Sequence, residues 1–353
     1  MSAPATPRPA GRARFGVVGA GLWGSFHCKT LNAIAAAELV AVCDLDPARA
    51  AQMQQQFGPR KVHTDYRALV EDPDIDAVTV ATPDFAHADI VLAAIAAGKH
   101  VMSEKPLATT LREAEAIAEA AARKGVKVMV DFHNRVNPAV HALRESIAAG
   151  EIGKPLHASA RLSNTLFVPL ELLSWAARSS ALWFLGSHAV DALRFTLQAE
   201  IVRVQALRRR GHLASLGVDT DDVHLSLLEF DNDVVATLEN SWVLPRDLPL
   251  VFDFRAEIVG EAGAIQIDTA QNGTFRKYAG QGLRTADMLG LTPAAGGRLG
   301  GFVTEAIARF VDAVTTDAPL LADAQDGLAV TRVLVAIEEA AKTGRAVTLP
   351  GGA

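Results

Sequence analysis

The chain has 353 residues, half of them hydrophobic, with a formal net charge of −6 and a pI near 5.9. That length exceeds what one compact core usually holds, so two domains are expected, and the acidic balance removes the electrostatic case for nucleic acid or an anionic membrane as partner. Two cysteines, Cys28 and Cys43, exclude a disulfide scaffold and read as small buried apolar residues in a reducing cytoplasm, while no apolar run, Ile90 to Ala97 included, reaches the length of a bilayer span.

Residues 1–12 are rich in Ala and Pro, carry a few Arg and lack the apolar stretch of a signal peptide, so they are expected to be a disordered leader outside the fold. Phe15-Gly16-Val17-Val18 then reads as a strand running into Gly19-Ala20-Gly21-Leu22-Trp23-Gly24, with helix-forming sequence from Ser25. That layout is a dinucleotide-binding turn. Gly19 allows the sharp exit from the strand, Gly21 removes the Cβ that would block backbone approach to a pyrophosphate, and Gly24 lets helix and sheet pack closely, with Leu22 and Trp23 facing the same ligand. The phosphates would lie on the unpaired N–H groups of the helix N-terminus.

Leu39 to Cys43 is a second strand ending at Asp44, 20 residues past Gly24. A carboxylate there accepts both ribose hydroxyls and repels a 2′-phosphate, which favours NAD over NADP; Arg49 keeps NADP use open. Asp46 is the better cap for the helix beginning at Pro47. The pattern continues with a helix Pro47 to Phe57, a strand Lys61 to His63, a helix Tyr66 to Val70 and a strand Ala77 to Ala81. A helix Ala86 to Ala97, a strand His100 to Ser103, a helix Thr110 to Lys124 and a strand Val126 to Val130 complete it. Strands alternating with helices predict a parallel, doubly wound Rossmann sheet over residues 13–136. Ligands of such sheets lie beyond the carboxyl ends of the strands, where Thr82, Pro83, Glu104, Lys105 and Asp131 fall.

From Asn137-Pro138 the rhythm changes. A helix to about Ala149 leads into alternating or β-branched runs at Leu156 to Leu162, Ile201 to Leu207, Val223 to Phe230, Val234 to Trp242, Phe252 to Val259 and Ala264 to Ile267, with turns at Asp231-Asn232-Asp233 and Glu261-Ala262-Gly263. Residues 137–353 are therefore expected to form a C-terminal α/β domain for substrate binding and oligomerisation, built on an open, largely antiparallel sheet. The helices available cover one face of that sheet, which leaves the other as a surface for a homodimer or homotetramer. The cluster Arg208-Arg209-Arg210 reads as a solvated strand end or loop. Gly280 to Gly301 reads as a long loop, followed by helices Phe302 to Thr316 and Ala324 to Thr343.

Glu104-Lys105-Pro106 ends the fifth strand of the first domain. The proline biases Lys105 toward an extended backbone, which holds its ammonium in the cleft. A desolvated lysine there can hydrogen-bond a substrate oxygen and exchange the proton of a carbinol as hydride leaves. Gly186-Ser187-His188-Ala189-Val190-Asp191 opens a helix to Leu197, with His188 as a candidate acid or base and Asp191 on the same helix face. Trp183 and Phe184 are either core or a sugar-stacking platform. Arg161, Ser163 and Asn164 are candidate hydroxyl binders at a strand end, with His133 and Asn134 as further cleft residues. No Cys or His spacing resembles a zinc site.

Together these residues resemble the Gfo/Idh/MocA family of sugar and polyol oxidoreductases. The resemblance spans nearly the whole chain: the Gly19 to Gly24 turn, Ala81-Thr82-Pro83 with His87, Ala97-Gly98-Lys99-His100-Val101, Glu104-Lys105-Pro106, Asn134-Arg135 before Pro138, Gly186 to Asp191 and Asp326-Gly327-Leu328. It implies that Lys105 is the catalytic lysine, His188 the catalytic histidine and Asp191 an acidic residue lining the substrate site, with Thr82, Pro83, His87 and Glu104 among the cofactor contacts. It also implies a C-terminal sheet that builds dimers or tetramers. One position departs: inositol dehydrogenase-like members carry an aspartate four residues before the histidine, where this chain has Phe184. The proton relay must then be rebuilt from Lys105, His188 and either Asp131 or water. The resemblance implies a cytoplasmic NAD-dependent enzyme moving hydride to or from a cyclic sugar, glycoside or polyol. The alternatives are an NAD-retaining glycosidase that oxidises its sugar transiently, and a non-catalytic dinucleotide-binding regulator.

Overall fold

A computed structural model describes residues 11–269, 276–278, 283–285, 289–290 and 300–350; most of the expected leader and most of the expected 280–301 loop lie outside them. The chain forms two compact units, residues up to Phe132 with 300–328, and residues from His133 with 329–350. Among the described residues no helix is long and apolar enough to cross a membrane.

In the first unit the elements are β1 (Ala13–Val18), α1 (Leu22–Ala33), β2 (Ala37–Cys43), α2 (Pro47–Phe57), β3 (Lys61–His63), α3 (Tyr66–Val70), β4 (Ala77–Val80), α4 (His87–Ala96), β5 (His100–Ser103), α5 (Leu111–Lys124) and β6 (Val128–Val130). All strand pairs are parallel, in the order β3-β2-β1-β4-β5-β6. The order reverses between β1 and β4, the switch point at which a doubly wound sheet opens its ligand crevice. Local chemistry sets the helix boundaries: Asp46 accepts from the Ala48 N–H to cap α2, Thr110 accepts from Glu113 to cap α5, and Gly58 and Gly125 end those helices in the left-handed conformation.

The helix Phe302–Thr316 also packs in this unit. Phe310, Ile307 and Val311 join Phe15, Val17, Leu31, Met102 and Met129 in one buried cluster, with the Phe15 and Phe310 rings edge to face at 6.0 Å. This corrects the expected boundary, which gave everything after residue 136 to the second domain. The helix has a strong apolar stripe, but a stripe does not say which core it covers.

The second unit holds α6 (Pro138–Ala148), β7 (Pro155–Asn164), α7 (Ser187–Leu197), β8 (Ile201–Arg210), β9 (Asp221–Phe230), β10 (Val235–Ser241), β11 (Phe252–Gly260) and β12 (Ala264–Asp268). Its sheet runs β12-β11-β7-β10-β9-β8 and is closed at one edge by the short strand Val347–Thr348; β7 and β10 are parallel and the other pairs antiparallel. On β7, Ala158, Ala160 and Leu162 are buried and alternate with the more exposed His157, Ser159 and Arg161. Leu207, Leu225, Leu227 and Val235 remain exposed on the strands of this sheet. Arg208, Arg209 and Arg210 do end β8, each paired with an aspartate of the Asp219 to Asp222 segment. Two irregular turns, Val168–Leu172 and Leu182–Gly186, are π-helical and carry no sequence cap.

Candidate active site

Five residues at or beside the candidate positions of the first unit share one structural origin. Gly19, Asp44, Ala81, Glu104 and Asp131 each follow directly on the last residue of a strand. Each donates its N–H to the final residue of a neighbouring strand: Gly19 to Cys43, Ala81 to Val18, Glu104 to Val80 and Asp131 to Ser103, all at 2.8 Å, and Asp44 to His63 at 3.2 Å. The parallel register therefore lines these residues along one edge of the sheet.

The glycine turn fits a dinucleotide. Gly19 adopts a φ of +103°, and a Cβ there would lie 2.4 Å from the Ala81 carbonyl oxygen; a Cβ on Gly24 would lie 1.7 Å from that of Gly19. Both glycines are thus explained by the protein itself. Gly21 is not, since its Cβ would meet nothing within 4 Å, which leaves close approach of a ligand as its reason. No side chain caps α1, so its first N–H groups are suited to an anion. Leu22 is exposed at that turn, Trp23 half-buried against Phe26 at 6.1 Å. Asp44 accepts from the Ala20 N–H at 2.7 Å and from the Asp46 N–H at 2.9 Å, which fixes its carboxylate beside the turn. At the end of β4 the Thr82 hydroxyl is buried with no hydrogen-bond partner among the described residues, an acceptor and donor left for a bound group. Pro83 follows it, half-buried.

His87 behaves differently from its expected role as a cofactor contact. It is buried, with Nε2 at 2.9 Å from the Thr82 carbonyl and Nδ1 at 2.7 Å from the Pro106 carbonyl. Both ring nitrogens are committed to backbone, so the imidazole struts two turns and leaves no nitrogen for a ligand.

Lys105 is buried, and its peptide bond to Pro106 is cis. Burial pulls its ammonium below the ordinary lysine range, while the carboxylates of Glu104, Asp84 and Asp131 act the other way. Glu104 Oε1 lies 3.2 Å from Nε2 of His27, a fully buried residue of α1. The polar atoms of His27, Glu104 and Asp131 fall within 4.8 Å of one another. The sequence reading missed His27. It occupies the apolar stripe Gly24, His27, Cys28, Leu31 of α1, where an ionisable group demands a buried partner, and that was the available signal.

In the second unit the turn His133–Val136 carries His133, whose ring lies 4.3 Å from that of His188 at 44°. His188 sits in the first turn of α7, and both rings are buried. Asp191, one turn on, is 0 % exposed and gripped by Arg135: Nε donates to Oδ2 at 3.0 Å and Nη2 to Oδ1 at 2.7 Å. Its carboxylate thus serves a bidentate ion pair, a partner invisible in the sequence spacing. Asn164 is buried, donating from Nδ2 to the Val251 carbonyl at 3.4 Å with its Oδ1 unpartnered among the described residues. Trp183 is buried and its indole N–H donates to Glu338 at 2.7 Å, so it is a core residue and not an open stacking platform. Phe184 meets Trp175 and Trp242 at 6.0 and 5.9 Å, an aromatic group at the position where a carboxylate was expected by resemblance.

Arg161 is not brought to this cluster. It lies on the more exposed face of β7, opposite the buried Leu162 and Asn164, where it pairs with Glu239 at 3.3 Å and Asp253 at 3.5 Å. The period of two along a strand separates it from Asn164, which the sequence reading had grouped with it.

Comparison with known proteins matches residues 13–132 to the model of an oxidoreductase family with an NAD-binding Rossmann fold, and residues 140–266 to that family's C-terminal domain. An inositol 2-dehydrogenase of Acidothermus cellulolyticus is 38% identical over 73% of this chain and 73% of its own. Inositol 2-dehydrogenase 3 of Saccharopolyspora erythraea is 32% identical over 95% and 94%. Among solved structures, GenD2 from gentamicin A biosynthesis in complex with NAD superposes with a TM-score of 0.84 at 26% identity, covering 99% of this chain and all of that one.

Proposed function

Because the chain belongs to the Gfo/Idh/MocA family of oxidoreductases, and is an NAD-dependent dehydrogenase acting on CH–OH groups of a polyol, we propose that its substrate is a cyclic polyol or sugar of the inositol type. The curated relatives that resemble it over most of their length carry that activity in their names. The nicotinamide supplies the hydride acceptor and donor. Lys105, as the neutral amine, accepts the hydrogen bond of the reacting hydroxyl and takes up its proton; in the second unit His188, with His133 as its ring neighbour, is the candidate acid or base. Thr82 and Asp44 hold the dinucleotide, and Asn164 offers its free carbonyl to a substrate hydroxyl. Asp191 acts through Arg135, shaping the turn that carries His133.

The observation that carries this reading is the burial of Lys105 at the strand edge: a buried lysine whose ammonium is destabilised exchanges its proton within a usable pH range. The sign follows. The neutral amine is favoured at a lower pH than in free lysine, so polyol oxidation should rise with pH through a midpoint below 10.5, and the ketone-to-alcohol direction should fall through the same midpoint. A panel of inositols, aldoses and glycosides assayed for NADH production, with NADP in parallel, tests the substrate class. Turnover with an inositol and NAD is expected; turnover confined to acyclic alcohols contradicts it.

The exposed leucines of the C-terminal sheet, Leu207, Leu225 and Leu227, support a second proposal that subunits pair through this face as dimers or tetramers. Light scattering of the wild type and of Leu225→Glu tests it.

A further inference from the structure

His27 has no part in the chemistry assigned above, yet it is fully buried on the helix that follows the cofactor turn. Its Nε2 lies 3.2 Å from Glu104 Oε1, and its Nδ1 is buried with no hydrogen-bond partner among the described residues. A carboxylate oxygen accepts, so Nε2 is the donor in this contact. The composition of His27, Glu104 and Asp131 is that of a metal-ligand set. The hydrogen-bond contact and the Lys105 ammonium beside these carboxylates already answer their charge, so the cluster reads as a hydrogen-bonded one.

We propose that His27 is a positioning residue for Lys105: by donating to the Glu104 carboxylate it ties the Glu104-Lys105-Pro106 turn to α1, the helix whose N-terminus would hold the pyrophosphate. This rests on the reading of Lys105 as the proton-handling residue. The orientation of the lysine is then tied to α1 through one buried contact. The contact also fixes the Glu104 carboxylate in a buried place beside Lys105. The charged groups that act on Lys105 are Glu104, Asp84 and Asp131, and among them Glu104 is the one that His27 holds. Without the imidazole donor the Glu104 carboxylate is no longer held beside the lysine, its pull on the ammonium weakens, and Lys105 loses its proton at lower pH.

The test compares His27→Leu, which removes the donor, with His27→Gln, whose amide N–H can replace it. Two readouts are taken on folded protein: the titration midpoint of Lys105 followed by NMR of labelled lysine, assigned with Lys105→Met, and the pH profile of kcat and KM. For His27→Leu the midpoint should fall by about one pH unit, and kcat should fall roughly 10- to 100-fold as the lysine loses its aim, with KM for NAD little changed. His27→Gln should recover most of both. Should His27→Leu not fold, His27→Asn, whose amide is too short for the 3.2 Å contact, takes its place with the same expected shifts. A midpoint and a kcat that stay where they are, or a glutamine variant no better than leucine, overturn the proposal. The NMR readout needs no substrate, so a wild type inert toward every polyol removes the proposed function while the lysine midpoint still decides the role of His27.

Discussion

The Lys105 cluster and the His188 cluster are both buried and polar, but they are positioned by different means. Around Lys105 the backbone does the placing: Gly19, Asp44, Glu104 and Asp131 each leave the end of a parallel strand, and the sheet register aligns them. Around His188 the side chains place one another. Arg135 grips Asp191 from 56 residues away, the His133 ring packs at a tilt against His188, and Phe184 meets two tryptophans. A strand-end scaffold keeps its fold when a side chain is lost, because the hydrogen bonds that hold it are made by the main chain, even where the aim of Lys105 rests on the His27 contact. A site set by side-chain pairs does not. Substitutions near Lys105 should therefore damage function and spare stability, and those near His188 should damage both.

The largest expected effect sharpens the first half of that contrast. Lys105→Met should lower kcat about 10³- to 10⁴-fold through loss of the proton acceptor, while NADH affinity and the urea midpoint stay close to wild type. Equal loss of stability and turnover would break the contrast there. Next, Asp191→Ala removes the carboxylate that takes two hydrogen bonds from the buried Arg135 guanidinium and should cost about 3–5 kcal/mol in urea unfolding; a cost below about 1 kcal/mol, the scale of an exposed pair, would show that this ion pair does not set the cluster. Asp44→Ala is the matching change on the strand-end side. It should weaken NAD binding roughly 10- to 100-fold, the scale of two lost hydrogen bonds to ribose hydroxyls, and calorimetry in parallel with NADP should find that preference relaxed. Smallest is Arg161→Ala, whose side chain points away from Asn164: kcat/KM should stay within about twofold, as expected of a residue outside the site. A tenfold loss would place Arg161 in the substrate pocket after all.

Legibility in the sequence follows the same division. The alternation of strands and helices, the glycine turn and the Glu104-Lys105-Pro106 turn depend on local backbone chemistry, and the structure has the elements Pro47–Phe57, Lys61–His63, Tyr66–Val70, His100–Ser103, Phe302–Thr316 and Ala324–Thr343 at the expected residues. Long-range choices were less readable. The apolar stripe of Phe302–Thr316 did not reveal that it covers Phe15, and nothing near Asp191 announced Arg135 as its partner. Trp183 read equally as core or as a stacking platform, and its N–H bond to Glu338, 155 residues away, decides for core. His27 shows the rule inside the better-read unit, since it is held by a side-chain contact across 77 residues.

The central claim is that Lys105 handles the proton of a polyol hydroxyl as hydride moves to the bound nicotinamide. Rapid mixing of NAD-saturated enzyme with an inositol, recording NADH absorbance for the wild type and Lys105→Met across pH, tests it most directly. The account predicts a wild-type burst whose rate climbs with pH to a plateau, and a variant burst slowed at least 100-fold, on the scale of a lost general base, with that pH dependence gone. Equal bursts in the two proteins, with the pH dependence intact in both, would contradict it.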